Sequence, residues 1–249
     1  MGLLLLFIIA ALLLLLLSVI VVVHSAISPA REGLGKALAL DLPTTPGDLG
    51  LSFESWTCRT EDGLDLPAWD VQGAADGPTL LWLHDHGGSR LSDLGQLEEW
   101  MSWCGRVVLV DLRGHGDAPG SSSLGVREPG DIDRMLECIG NESVMLGGRG
   151  FGAVLAIDAA CRRKDGVPAW GIDPYPSSRV RFEREMRLRG IPTWPLRNLA
   201  MFVLRITGRR PMEPPVDVPG DRVRIVDVDE PVPGEPWWTG SLSADESSN

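Results

Sequence analysis

From Leu3 to Val23 the chain runs 21 residues without a charge (LLLLFIIAALLLLLLSVIVVV). At about 1.5 Å per residue, such a run crosses a hydrocarbon core of about 30 Å as a single helix. The pattern then changes to short apolar runs separated by polar, glycine-rich turns. FESWTC, LPAWDV, TLLWLH, VVLVD, SVMLG, VPAWGI and VRIVDV read as strands, and LSDLGQLEEWMSWC, GDIDRMLECI and AVLAIDAACRR carry helical spacing. The last five strands are near-continuous apolar runs, the mark of a parallel sheet covered on both faces, while the first two make its antiparallel start. In such a sheet the loops after the strands converge at the carboxyl edge, where ligands bind in open α/β folds.

Three of those loops carry motifs. In Ser143 to Ala153 (SVMLGGRGFGA) an apolar strand runs through GRGFG into a helix, the context of a G-x-S-x-G nucleophile turn with Gly150 in the serine's place. TLLWLHDHGGSR ends a strand in His-Asp-His-Gly-Gly, and RVVLVDLRGHGDAPGSS ends another in Arg-Gly-His-Gly. With TEDGLDLPAWDV these segments resemble the α/β-hydrolase superfamily, specifically bacterial members carried on an N-terminal membrane anchor. The resemblance covers Phe53 to Pro176, about half the chain. It implies an α/β fold, a mostly parallel sheet flanked by helices and preceded by one transmembrane helix. It also implies a triad in the chain order nucleophile, acid, histidine.

Position by position the resemblance implies a degenerate triad. Gly150 has no hydroxyl to attack with, and the four histidines, His24, His84, His86 and His115, all precede it. Without an imidazole there is neither general base nor general acid. The acid position falls on Asp229 in VRIVDVDEPVP, where an ordinary loop carboxylate is the competing reading. Asp85 stands where the family has glycine, beside the expected oxyanion pocket, and its charge would repel a developing oxyanion. Arg149 stands where the family often has histidine; it either holds an anionic ligand or is solvated or ion-paired. His84 and His115 match loop residues that serve structure in the family. After Pro233 only GEPWWTGSLSADESSN remains, so the sheet is expected to be truncated by one strand, with Trp237 and Trp238 packed across its edge.

The carboxyl edge would gather His84, Asp85, His86, Asp111, Arg113, His115, Arg149 and Asp173. Of these, His84, Asp85, His86, His115 and Arg149 are the ligand-binding candidates, for a small molecule or a protein partner. His84-x-His86 with His115 has metal-ligand chemistry, but alternation along the loop need not turn both histidines inward, so neither metal nor cofactor is expected. Two readings follow. One is a catalytically inactive, membrane-anchored binding or scaffolding module. The other is an active serine hydrolase or esterase with a rearranged site, using a hydroxyl from Ser89 or Ser121 to Ser123 and His84, His86 or His115 as base.

Charge separates one further region. The chain carries −11, yet residues 179–210 hold nine arginines against Glu183 and Glu185, a local +7. The family inserts a cap or lid there. PLRNLAMFVLRITGRRP places Leu196, Leu199, Phe202, Val203 and Ile206 on one helical face. That face either packs on the sheet with its arginines solvated, or lies against anionic lipid through Arg197, Arg205, Arg209 and Arg210. Net acidity excludes nucleic acid as a partner.

The resulting organisation is an anchor over 1–27, a linker over 28–50, a hydrolase-like domain over 51–238 with the basic insert, and a disordered tail over 239–249. A cleaved signal peptide competes at Val23-His-Ser-Ala26, but the basic leader is missing and the apolar run exceeds the usual ~7–15 residues, which favours an uncleaved single-pass anchor in contact with membrane lipid. Arg31 and Lys36 follow the helix and no basic side chain precedes it, which favours a cytoplasmic domain. Leu6 removes the myristoylation motif at Gly2. Cys58, Cys104, Cys138 and Cys161 form no C-x-x-C pair and read as buried thiols.

Overall fold

The computed structural model describes residues 2–31, 34–73, 76–140 and 143–226. Seven strands in that range form one sheet: β1 (Phe53–Arg59), β2 (Asp65–Gln72), β3 (Thr79–Leu83), β4 (Arg106–Val110), β5 (Val144–Arg149), β6 (Ala169–Ile172) and β7 (Val223–Val226). Their spatial order is β1-β2-β4-β3-β5-β6-β7. The two junctions made by β2 are antiparallel and the other four parallel. The seven strand segments of the sequence are all present. Asp229, Trp237 and Trp238 lie outside the described residues.

Seven α-helices among the described residues accompany the sheet: α1 (Gly2–Ile27), α2 (Leu34–Ala39), α3 (Leu97–Met101), α4 (Glu128–Ile139), α5 (Phe151–Arg162), α6 (Ser178–Leu188) and α7 (Leu196–Ile206). One sheet face packs Leu81, Leu83, Val108, Val110 and Leu146 against Ile132, Met135 and Leu136 of α4 and Val154 to Ile157 of α5. The other packs Leu80, Val107, Leu109 and Met145 with Trp82, Trp100 and Trp170. Trp82 lies 4.3 Å from Trp100 and 5.3 Å from Trp170 between ring centroids, and its indole N–H donates to Asp93 at 2.9 Å. Each of these three rings buries on the order of 150–250 Å².

Three expectations need correction. The helical pattern LSDLGQLEEWMSWC yields a 3₁₀ turn at Leu94–Gln96 and only five residues of α3, because the chain must turn at Cys104 to enter β4. The stripe of Leu196, Leu199, Phe202, Val203 and Ile206 is not the packed face of α7: Leu196, Ala200 and Leu204 are buried, while Leu199, Phe202 and Ile206 are exposed. Nor does α7 lie on the sheet. With Phe182 and Met186 of α6 it forms a third core against Val19, Val22 and Ala26 of α1. The cysteines also divide, Cys58 and Cys104 being buried but Cys138 exposed.

Candidate functional site

Register brings three loops to one place. Leu83 of β3 is level with Val110 of β4 and with Gly148 of β5, so the chains leave the sheet together at His84, Asp111 and Arg149. The turn after β5 is sharp, and glycines make it possible. A Cβ on Gly152 would stand 2.0 Å from the Leu83 carbonyl oxygen, and one on Gly148 would stand 2.4 Å from the carbonyl carbon of Gly152. Helix α5 can therefore start directly against β3. Gly150 sits between them at φ 53°, ψ −109°, a conformation that costs an L side chain on the order of 1–3 kcal/mol.

What fills the space above Gly150 is the Asp85 carboxylate. A Cβ on Gly150 would fall 2.1 Å from Asp85 Oδ1 and 2.3 Å from its Cγ. The same Oδ1 accepts the Phe151 N–H at 2.7 Å and the His86 N–H at 2.7 Å. In a nucleophile turn the oxyanion hole consists of the N–H following the nucleophile and an N–H from the loop after β3. Those are the positions of Phe151 and His86. The expectation that Asp85 would stand beside this pocket and repel an oxyanion is therefore superseded: its own carboxylate oxygen occupies the pocket and takes both donors.

The histidines are committed to structure in different ways. His84 Nδ1 donates to the Asp85 carbonyl at 2.7 Å and its Nε2 accepts the Leu112 N–H at 3.0 Å, which ties the β3 loop to the end of β4. The His86 side chain is buried, with Nε2 2.9 Å from the Ala26 carbonyl at the end of α1 and Nδ1 3.1 Å from Glu185 Oε1. Burial alone would raise the Glu185 carboxyl, but the His86 hydrogen bond and charge, with Arg181 and Arg189, hold it down at about 2. His115 is fully buried; its Nδ1 donates to the Arg113 carbonyl at 2.9 Å, and its Nε2 has no partner among the described residues.

The three rings are neighbours, His115 lying 5.1 Å from both His84 and His86 between centroids. They do not converge on a common point. Among the described residues no group of three or more His, Cys, Asp or Glu side chains is arranged to hold a metal ion.

The remaining candidates are engaged elsewhere. Arg149 pairs with Asp93 at 3.0 Å, and Asp173 with Arg184 at 3.1 Å. Asp111 accepts the Arg90 N–H at 2.7 Å and the Asp117 N–H at 2.9 Å. Of the serines proposed as substitute nucleophiles, Ser89, Ser122 and Ser123 are also bound. Ser122 and Ser123 both donate their hydroxyls to the buried Glu128, which also accepts the Ser123 N–H at 2.8 Å and the Gly125 N–H at 2.9 Å. Ser89 Oγ accepts the Leu91 N–H at 3.2 Å. None of Ser89, Ser121, Ser122 and Ser123 is hydrogen-bonded to His84, His86 or His115. Arg197, a lipid-contact candidate, is turned instead onto Glu183 and Asn198. Sequence reading missed Glu128 and Glu185, whose roles arise from partners distant in the chain or in a loop without periodicity.

Burial pushes His115 well below the usual imidazole value, with His84 and His86 adding to the effect. The unfolded chain therefore takes up this proton first. Stability contributed by neutral His115 is complete above about pH 6.5 and falls as pH drops below it, by up to about 1.4 kcal/mol per unit. His115→Asn keeps a donor for the Arg113 carbonyl and removes the titration. Melting temperatures between pH 7.5 and 5 are expected to fall less steeply in that variant than in the natural chain; parallel slopes would exclude His115 as the source.

No family model matches the chain, and no curated protein matches it in sequence. Solved structures do. An esterase of Pyrococcus furiosus, Pf2001, superimposes with a TM-score of 0.52 at 22% identity over 68% of this chain and 67% of the esterase. A second crystal form of it gives 0.53 at 18% identity over 76% and 87%. A Vigna radiata epoxide hydrolase gives 0.43 at 25% identity over 49% and 38%. At these identities the likeness to the esterase is one of fold.

Proposed function

We propose that this chain, which has the α/β-hydrolase fold, is a catalytically silent member of that architecture, held at a membrane by α1 and acting as a binding or scaffolding module. One observation carries the reading: Asp85 Oδ1 bonds both N–H groups that would stabilise an oxyanion, in the space that a nucleophile at position 150 would need. An active site must keep that pocket open for charge that develops only in the transition state. Here a permanent charge satisfies it in the ground state. The same arrangement stiffens the meeting point of β3, β4 and β5, which suits a surface that holds a partner rather than turning one over.

Membrane attachment is supported by length and composition: α1 is long and apolar enough to cross a bilayer, and 11% of its most apolar window is buried in the protein. Arg31 after the helix favours a cytoplasmic domain. The test of silence is direct. Purified full-length protein is expected to release no product from activated short-chain esters above a buffer blank, and to take no label from serine-directed fluorophosphonates. Labelling that maps to Ser89 or to Ser121 through Ser123 would establish the rearranged hydrolase instead.

A further inference from the structure

The outer face of α7 is apolar and exposed, with none of the described residues packed over it. Phe202 is 61% exposed, Ile206 67% and Leu199 37%, and Trp194, just before the helix, is 77% exposed. The opposite face of α7 is buried against the second half of α1, where Val19, Val22 and Ala26 are buried and Leu15 and Val23 partly so. That contact fixes the depth of α7. The part of α1 that stands free of the domain, Leu3 to Leu14, is 12 residues, about 18 Å, far short of a hydrocarbon core of about 30 Å. Only the full run to Val23, about 32 Å, is long enough. If α1 spans, its second half lies in hydrocarbon, and α7 packed beside it lies at the same depth.

We propose that α7 is embedded in the near leaflet beside α1, with Leu199, Phe202 and Ile206 against lipid acyl chains. This inference rests on the reading of α1 as a membrane span. Three features agree with it. The half of α1 that α7 packs against carries exposed apolar residues of its own, Leu16, Leu17, Ile20 and Val21 all being more than half exposed. The hydroxyls on α1 and at the end of α7 are satisfied internally, Thr207 Oγ1 donating to the Val203 carbonyl at 2.9 Å and Ser18 Oγ to the Leu14 carbonyl at 2.8 Å, as hydrocarbon requires. Arg205, Arg209 and Arg210 form no ion pair among the described residues and sit at the C-terminal end of α7, from which long side chains reach the headgroups. Arg197, tied to Glu183, is not part of the surface.

The test is depth measurement on the full chain in vesicles of phosphatidylcholine and phosphatidylglycerol. With Cys138 and Cys161 replaced by serine, an environment-sensitive fluorophore is placed at Phe202→Cys, Ile206→Cys or Ile9→Cys. A fourth protein carries it on native Cys138, exposed on α4. Spin-labelled acyl chains are expected to reduce emission roughly twofold at 202 and 206, as at 9, and to leave 138 unchanged. Quenching at 9 without quenching at 202 or 206 would overturn the embedded helix and leave the span intact. Absence of quenching at 9 would overturn the span, and the embedded helix with it.

Discussion

Replacing Gly150 with serine is expected to destabilise the domain by about 3 kcal/mol and to restore no activity. Two effects add. The positive φ becomes strained once a Cβ is present, and the Cβ would stand 2.1 Å from Asp85 Oδ1, so the carboxylate has to leave. Its departure strands the Phe151 and His86 N–H groups, each at 2.7 Å from that oxygen. Hydrogen bonds to a charged group are worth about 1.5–3 kcal/mol when buried, and these two are open to water in part, so losing the pair adds about as much as the backbone strain. Asp85→Gly removes the obstacle but also the acceptor. In the double variant the clash is gone, and the two changes should be non-additive by on the order of 1–2 kcal/mol in the stabilising direction. Denaturant unfolding of the four proteins measures this. Additive losses, or a neutral Gly150→Ser, would mean that Asp85 does not depend on a glycine at 150. Activity is expected to stay absent in the double variant because His84 and His86 have both ring nitrogens engaged and His115 is fully buried.

What the sequence disclosed follows the range of the interactions involved. Runs such as TLLWL and RVVLV had to be strands covered on both faces, and GRGFG between a strand and a helix had to be a tight turn; both are local matters of burial and backbone space. Helix α6 was invisible to periodicity because arginine and glutamate fill most of SRVRFEREMRL, leaving Phe182 and Met186 as its buried apolar residues; the Ser177 cap, accepting from the Val180 N–H at 3.3 Å, was its best local signal. For α7 the amphipathic pattern was legible but the buried face was not. Periodicity says that a helix has an apolar stripe, and only the position of α1, more than 170 residues earlier in the chain, decides which side of that stripe is covered. Asp85 is the sharpest case. Its departure from glycine was readable and so was Gly150, yet that one fills the space left by the other depends on the 64 residues of intervening chain bringing β3 and β5 side by side.

Arg113 leads to the second large effect, since its place on the carboxyl edge suggested a ligand contact and its surroundings make it a structural clamp. Its guanidinium is buried, with Nε 2.6 Å from Asp131 Oδ2 and Nη2 2.5 Å from Asp131 Oδ1, while Nη1 reaches Asp62 at 3.0 Å. It thereby joins the β4 loop to the first turn of α4 and to the turn between β1 and β2. Burial raises the Asp131 carboxyl even with Arg113 present, so this anion persists in the fold largely through its partner. Arg113→Met is expected to cost about 3–5 kcal/mol, because it leaves a buried carboxylate uncompensated. Pairing it with Asp131→Leu should recover most of that loss, since the charge to be buried is gone. An exposed pair such as Arg162 with Asp158 provides the contrast and should cost about 0–1 kcal/mol when broken. The pH dependence distinguishes a stranded charge from lost packing. In Arg113→Met the Asp131 carboxyl rises further in the folded state, so the fold takes up its proton before the unfolded chain does. The deficit relative to the natural protein should therefore narrow as pH falls toward the carboxylate range, whereas a deficit constant with pH would assign the loss to the missing side-chain volume.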